Sequence, residues 1–259
     1  MVSKVWLSTL LGAALIGSPQ SSVLAADFGS GTDSYLYAQQ PLAQAVVEVA
    51  GGIWHMPGAS VGAASAAGAM NFPVAGRWNL QPELSVLSVF SSAVGTNLTG
   101  VLHAYYRDPQ SHALGVHGGG FGGSAAGGAV VVGLDGLLYM HRTTLYAQAS
   151  YFSGAVVGQG SQIVGTARYF PTDNTRLQGS LGYAASNAGI SVFSVSAGAE
   201  KRFDQTPFSA FLTGTYLSGA SSLPGNAGVV MMGARMYFNN DTLFQNDRNG
   251  VTTNFVKLF

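Results

Sequence analysis

Five polar turns, Phe72–Arg77, Arg107–Gln110, Met140–Thr143, Pro171–Thr175 and Phe203–Pro207, recur at intervals of 30 to 35 residues. Each separates two stretches in which apolar and polar residues alternate. Period two marks a strand whose two faces meet different surroundings, so the turns divide the chain into hairpins. Between consecutive turns lie softer breaks rich in small residues, such as Gly122 to Gly128 and Ser186 to Gly189. Tight turns alternating with Gly/Ala/Ser loops suit an up-and-down membrane barrel, which has short turns on one side of the bilayer and longer loops on the other.

Composition supports that reading. Only 8% of the residues are charged and 47% are hydrophobic, whereas a soluble domain carries about 25% charge. No apolar run after Ile16 approaches the roughly 18 residues of a membrane helix. The apolar residues are therefore interleaved with small and polar ones, as in a barrel whose backbone groups all pair between strands and whose exterior is free to be apolar. The net charge is +0 and no basic run occurs, which argues against a nucleic-acid partner. Cysteine is absent, so there is neither a disulfide framework nor a thiolate metal site.

The N-terminus has Lys4, an apolar run from Val5 to Ile16 and a small-x-small ending at Val23-Leu24-Ala25. These are the three parts of a secretory signal peptide, with cleavage expected after Ala25 or Ala26. The organisation expected is a leader over 1–26, an N-terminal periplasmic segment over 27–43, a barrel over 44–238 and a C-terminal tail over 239–259.

Alternation gives twelve segments: 44–54, 61–72, 79–90, 96–106, 112–122, 128–139, 144–153, 161–170, 175–185, 190–202, 208–218 and 228–238. The predicted fold is all-β, a closed antiparallel up-and-down transmembrane barrel of about twelve strands, an even number as single-chain bacterial barrels have. Parity sorts the charges. Glu48, Glu83, Asp135, Arg168, Arg176, Glu200, Arg202 and Arg235 fall on the predicted inner face, where none incurs the roughly 2–4 kcal/mol of a charge facing lipid at mid-depth. Lys201 has outward parity but stands near a turn, within snorkelling reach of water. Phe72, Tyr106, Tyr169, Phe203, Phe208 and Phe238 have outward parity near the turn side, the arrangement of an interfacial girdle.

With these features the chain resembles the outer-membrane β-barrel proteins of Gram-negative bacteria, in the small porin-like class. The segment Met231–Phe238 resembles the C-terminal assembly signal of that class, in which a glycine, here Gly233, precedes two hydrophobic positions, here Met236 and Phe238. It departs from the pattern in having Met231 where a polar residue is usual and about twenty residues after Phe238. The resemblance covers most of residues 42–250 and implies an outer-membrane location, with outer-membrane lipid and the barrel-assembly machinery as partners.

Chemistry is less legible. Among His55, His103, His112, His117 and His141 no pair has helical metal-ligand spacing. His103 and His117 share inner parity on adjacent strands, where they could approach each other, and read as solitary lumen histidines bonded to neighbours. The run Gly115–Gly123 lacks the Gly-Lys-Ser/Thr ending of a phosphate loop and suits close contact with aromatics on adjoining strands. No cofactor, metal or catalytic residue is expected, and the chain is read as a non-enzyme. The inner charges either fill the lumen as a pairing network or form opposed walls, with Arg168, Arg176, Arg202 and Arg235 facing Glu48, Glu83 and Asp135, that orient small polar solutes. The polar tail from Asn239 to Gly250 is expected to hang in the periplasm, with folding back into the lumen as the alternative. The function expected is a narrow, weakly selective pore or a structural envelope protein. The alternative is a lipid-modifying enzyme acting through a Ser/His pair.

Overall fold

The computed structural model describes residues 43–90, 95–123, 127–220 and 226–250. The leader, residues 27–42 and residues 251–259 lie outside them. Twelve strands form: β1 (Gln44–Met56), β2 (Ala59–Ala75), β3 (Trp78–Val89), β4 (Gly95–Asp108), β5 (His112–Gly123), β6 (Gly127–Met140), β7 (Thr143–Gly154), β8 (Gly158–Thr172), β9 (Thr175–Ser186), β10 (Ser191–Arg202), β11 (Phe208–Ala220) and β12 (Ala227–Tyr237). Their ends fall within three residues of those read from alternation. Each strand pairs antiparallel with its sequence neighbours, and β12 returns to β1 to close the barrel. That last seam runs from Val46↔Tyr237 to His55↔Gly228, so no edge of unpaired backbone groups faces lipid.

Alternation now has a physical meaning. Leu134, Leu181, Val130 and Ile163 are exposed on the outside, whereas Arg176, Gln178 and Ser180 are buried within. Lys201 and Asp108 face outward at the last two positions of their strands, where water can reach them. All six girdle aromatics are exposed. A Leu134→Arg substitution, in the middle of β6, should destabilise the barrel in lipid vesicles by about 2–4 kcal/mol, and a Val156→Arg substitution at the rim by about 0–1. Equal denaturation midpoints for the two would contradict a bilayer around this surface.

The connections differ from expectation. Those on the turn side are 76–77, 109–111, 141–142, 173–174 and 203–207, and the fully described ones opposite are 57–58, 155–157 and 187–190. These three are hardly longer than the turns. Glycine makes the shortest of these reversals feasible: Gly58 takes φ 84 behind Pro57, a conformation that costs a residue without Cβ nothing. In these three breaks the small residues tighten turns and do not lengthen loops.

Inside, inward glycines are seats for rings. Tyr105 lies opposite Gly115, His117 opposite Gly133, Phe152 opposite Gly160 and Phe211 opposite Gly233 in the strand registers. A Cβ on any of these glycines would stand 2.5–2.6 Å from the facing ring, which no real contact tolerates. In all four pairs the ring belongs to one strand and the glycine to the next in sequence, so the rings lean the same way around the wall. The interior also has two zones. Toward the turn side it holds buried Tyr105, Tyr139, Tyr146 and the charged residues. Toward the other mouth it is apolar, with Phe121, Ala129, Phe152 and Val157 in one cluster and Ala63, Val89 and Met231 in another.

Candidate functional site

The charges predicted to face inward do so, and the strand registers decide how they pair. Glu48 on β1 stands opposite Arg235 on β12, and Arg235 Nε donates to its Oε2 at 2.6 Å. Arg235 Nη1 reaches over β11 to Glu200 Oε2 at 2.6 Å, and Arg176 Nη2, directly across from Glu200 on β9, donates to the same oxygen at 2.7 Å. Glu200 Oε1 accepts from Ser209 at 2.6 Å and Tyr237 at 2.8 Å. The result is a chain of alternating charge, Glu48–Arg235–Glu200–Arg176, along one stretch of wall. Gly233 beside it admits Phe211, whose ring lies 4.7 Å from the Arg235 guanidinium. These four residues neutralise one another within the wall and do not form the opposed walls of a transverse field.

A second cluster gathers around Asp135 on β6. His103 Nδ1 and His117 Nδ1 lie 2.9 and 3.0 Å from Asp135 Oδ2, and Tyr146 donates to Oδ1 at 2.7 Å. The far nitrogen of His117, Nε2, lies 2.9 Å from Ser150 Oγ on β7. That of His103 lies 4.0 Å from Glu83 Oε2. The two histidines are thus not solitary, as the sequence suggested, but share one carboxylate oxygen. His103, His117, Gly133 and Ser150 form one row across β4–β7, and the missing Cβ of Gly133 lets His117 reach Ser150.

The turn-side mouth holds the third group. The tail does not hang from the barrel. It folds into a helix, α1 (Leu243–Asn249), started by a capping box in which Thr242 and Gln245 bond reciprocally to each other's backbone. Leu243 packs with Val46, Ala69, Phe170 and Tyr237, and this apolar contact is the physical reason a polar segment docks. Asp247 accepts from Arg168 Nη1 at 2.6 Å and Thr144 Oγ1 at 2.5 Å. Arg107 Nη1 donates to Gly250 O at 2.6 Å, and Arg248 Nη2 to Met140 O at 2.6 Å. Arg202 binds backbone carbonyls of Asn239 and Asp241, and Gln44 donates to Asp241 Oδ2 at 2.7 Å. The segment is therefore tied to β1, β4, β7, β8 and β10 and to the β6–β7 turn, so it crosses the mouth from one side to the other. Burial lowers the Arg248 guanidinium pKa, with the Asp247 carboxylate opposing.

Two of the predicted arginines accordingly serve a partner the sequence did not indicate. Arg168 pairs with Asp247 and Arg202 with tail carbonyls. Of the residues resembling the assembly signal, Gly233 faces inward, while Met236 and Phe238 have outward parity, Phe238 being half-exposed. The Phe238 N–H donates to Ala45 O at 3.0 Å across the closing seam. Asp247, Arg107, Tyr146 and Ser150 were missed. For Asp247 a signal existed, since Thr242-x-x-Gln245 ahead of it has the spacing of a helix start.

A scan against protein-family models finds no match, and a search of curated proteins finds none either. Among solved structures the chain is similar to the KdgM porin in complex with disordered oligogalacturonate, with a TM-score of 0.57 and 10% identity over 75% of this chain and 99% of that one. It is similar to the NanC porin with a TM-score of 0.56 and 9% identity over 73% and 98%. The fold is that of the integral outer-membrane β-barrels of the small porin-like class.

Proposed function

We propose that the protein is an outer-membrane pore, narrow and weakly selective for small polar solutes, with one mouth narrowed by its own C-terminal segment. The observation that carries the reading is the neutralised wall. Glu200 between Arg176 and Arg235, with Glu48 beyond, leaves little net field from this stretch to select ions by sign. The oligogalacturonate named with KdgM is a polyanion; here Arg176 and Arg235 already hold carboxylates of the chain itself, which favours uncharged polar solutes. Both ends of the barrel, Gln44 and Tyr237, leave on the turn side, which we assign to the periplasm by analogy with the short turns of bacterial barrels. In this reading the protein is a pore and not an enzyme.

Planar-bilayer recording of the refolded chain across a steep KCl gradient tests it. The expected result is a small conductance with a reversal potential near zero. Strong selectivity for either ion would overturn the weak-selectivity reading. Absence of current from the full chain and from a chain ending at Phe238 would leave only a structural role in the envelope.

A further inference from the structure

We propose that His103, His117 and Asp135 bind a divalent transition-metal ion, zinc being the one their donors suit best, on the inner wall of the barrel. The inference goes beyond conduction and does not depend on it. All three residues are buried, and their candidate ligand atoms lie within 4.8 Å of one another. The decisive feature is convergence. Two imidazoles from different strands present the same nitrogen, Nδ1, to a single oxygen, Asp135 Oδ2, at 2.9 and 3.0 Å. With zinc bonds of about 2.0–2.2 Å in tetrahedral geometry, neighbouring ligand atoms stand roughly 3.3 Å apart. The two nitrogen–oxygen edges need only lengthen by a few tenths of an ångström, and the third edge, between the two imidazole nitrogens, lies within the 4.8 Å span of the set. Two neutral imidazoles and a carboxylate form a nitrogen/oxygen set suited to zinc and its neighbours in the first transition row, not to calcium or magnesium, which take oxygen cages.

The surroundings fit as well. A ligating histidine ordinarily donates its other N–H to an oxygen, which fixes its tautomer. His117 Nε2 has Ser150 Oγ at 2.9 Å. His103 Nε2 faces Glu83 Oε2 at 4.0 Å, too far for a hydrogen bond but close enough for its negative charge to act on the ring. Tyr146 holds the other oxygen of Asp135 at 2.7 Å, leaving Oδ2 to the metal. The Tyr105 hydroxyl lies 3.1 Å from His103 Nδ1, at the edge of the cluster, where it could hydrogen-bond a metal-bound water. Registers hold the set: β4, β5 and β6 are adjacent strands of a closed sheet, so the ligands are placed by the barrel and not by a loop.

The same residues also trace Asp135–His117–Ser150, the order of a nucleophile activated by an oriented base. That arrangement accounts for one imidazole on Asp135, whereas the metal accounts for both. The test uses untagged full-length protein, refolded in detergent and stripped with a chelator. Titration with Co²⁺ should give the visible bands of a low-symmetry site at one ion per chain, and Zn²⁺ should bleach them. His103→Ala and His117→Ala should each abolish the bands, and Ser150→Ala should weaken binding by about 10–100-fold. Heat-modifiable migration of each variant confirms that the barrel has formed. If a variant fails to fold, zinc protection of the parent's histidines from diethyl pyrocarbonate, read by peptide mass, supplies the same answer. Lack of uptake by the parent protein would overturn the proposal. So would uptake unchanged in a His103→Ala/His117→Ala chain, which would place the ion on the rim histidines. Labelling of Ser150 by a fluorophosphonate in protein that takes up no metal would assign the cluster to nucleophilic chemistry instead.

Discussion

An Asp247→Ala variant is expected to conduct several-fold more current than the parent chain while its barrel remains intact. Asp247 is buried at the mouth with Arg168 at 2.6 Å and Thr144 at 2.5 Å. Removing one member of a buried ion pair ordinarily costs about 3–5 kcal/mol, because the remaining charge is left without compensation. Here the molecule can avoid most of that cost. Helix α1 has seven residues, too few to persist alone in water; Asp247 gives it a buried ion pair, and its other ties are a small apolar patch and the hydrogen bonds of Gln44, Arg107, Arg202 and Arg248. Once it leaves the mouth, water in the lumen solvates Arg168. The loss therefore appears as opening and not as unfolding. A chain ending at Phe238 supplies the fully open reference, and single-channel recording orders the three proteins. Equal conductance in all three would show that the segment does not limit the current, whatever its place in the fold.

Glu200→Ala should behave in the opposite manner, with a loss of about 3–5 kcal/mol in unfolding free energy and no gain in current through the mouth. Its carboxylate accepts from Arg176, Arg235, Ser209 and Tyr237. Deleting it leaves two guanidinium groups facing each other on strands fixed by ladders on both sides. Nothing in that wall can swing away to find water, so the full effect falls on the barrel. Glu48→Ala is the matched control. Its side chain is 21% exposed against 0% for Glu200, and Arg235 keeps Glu200 when it is gone. Denaturant unfolding in lipid vesicles should rank the parent first, Glu48→Ala second and Glu200→Ala well below. A Glu200→Ala barrel as stable as the Glu48→Ala one would mean that the network contributes far less than its geometry implies.

The strand count and the inward set of charges were legible because a strand has a period of two and lipid penalises charge. Those two facts need no knowledge of which strands touch. The pairing was not legible, because parity gives a side chain's face and not its height. Glu48 and Arg235 are 187 residues apart and meet only through the closing register. His103, His117 and Asp135 share a face by parity, yet their convergence depends on rows that run obliquely around the wall. Ser150 escaped notice for the same reason, and Gly133 gives no hint in the sequence that its missing side chain is the space His117 occupies. The tail was misread because its composition is polar and only Leu243 and Phe244 could dock. The spacing of Thr242 and Gln245 suits a helix start, but the partners that make so short a helix worthwhile lie on strands far away in sequence.

By itself the sequence determined a barrel of twelve antiparallel strands with eight charges inside, because each residue's choice between lipid and lumen is made locally, strand by strand. Only the tertiary structure decided that those charges neutralise one another along the wall, that two histidines converge on one carboxylate, and that the chain's own C-terminal helix crosses a mouth of the barrel. Each of these depends on register and closure, which bring together residues from opposite ends of the chain at a common height.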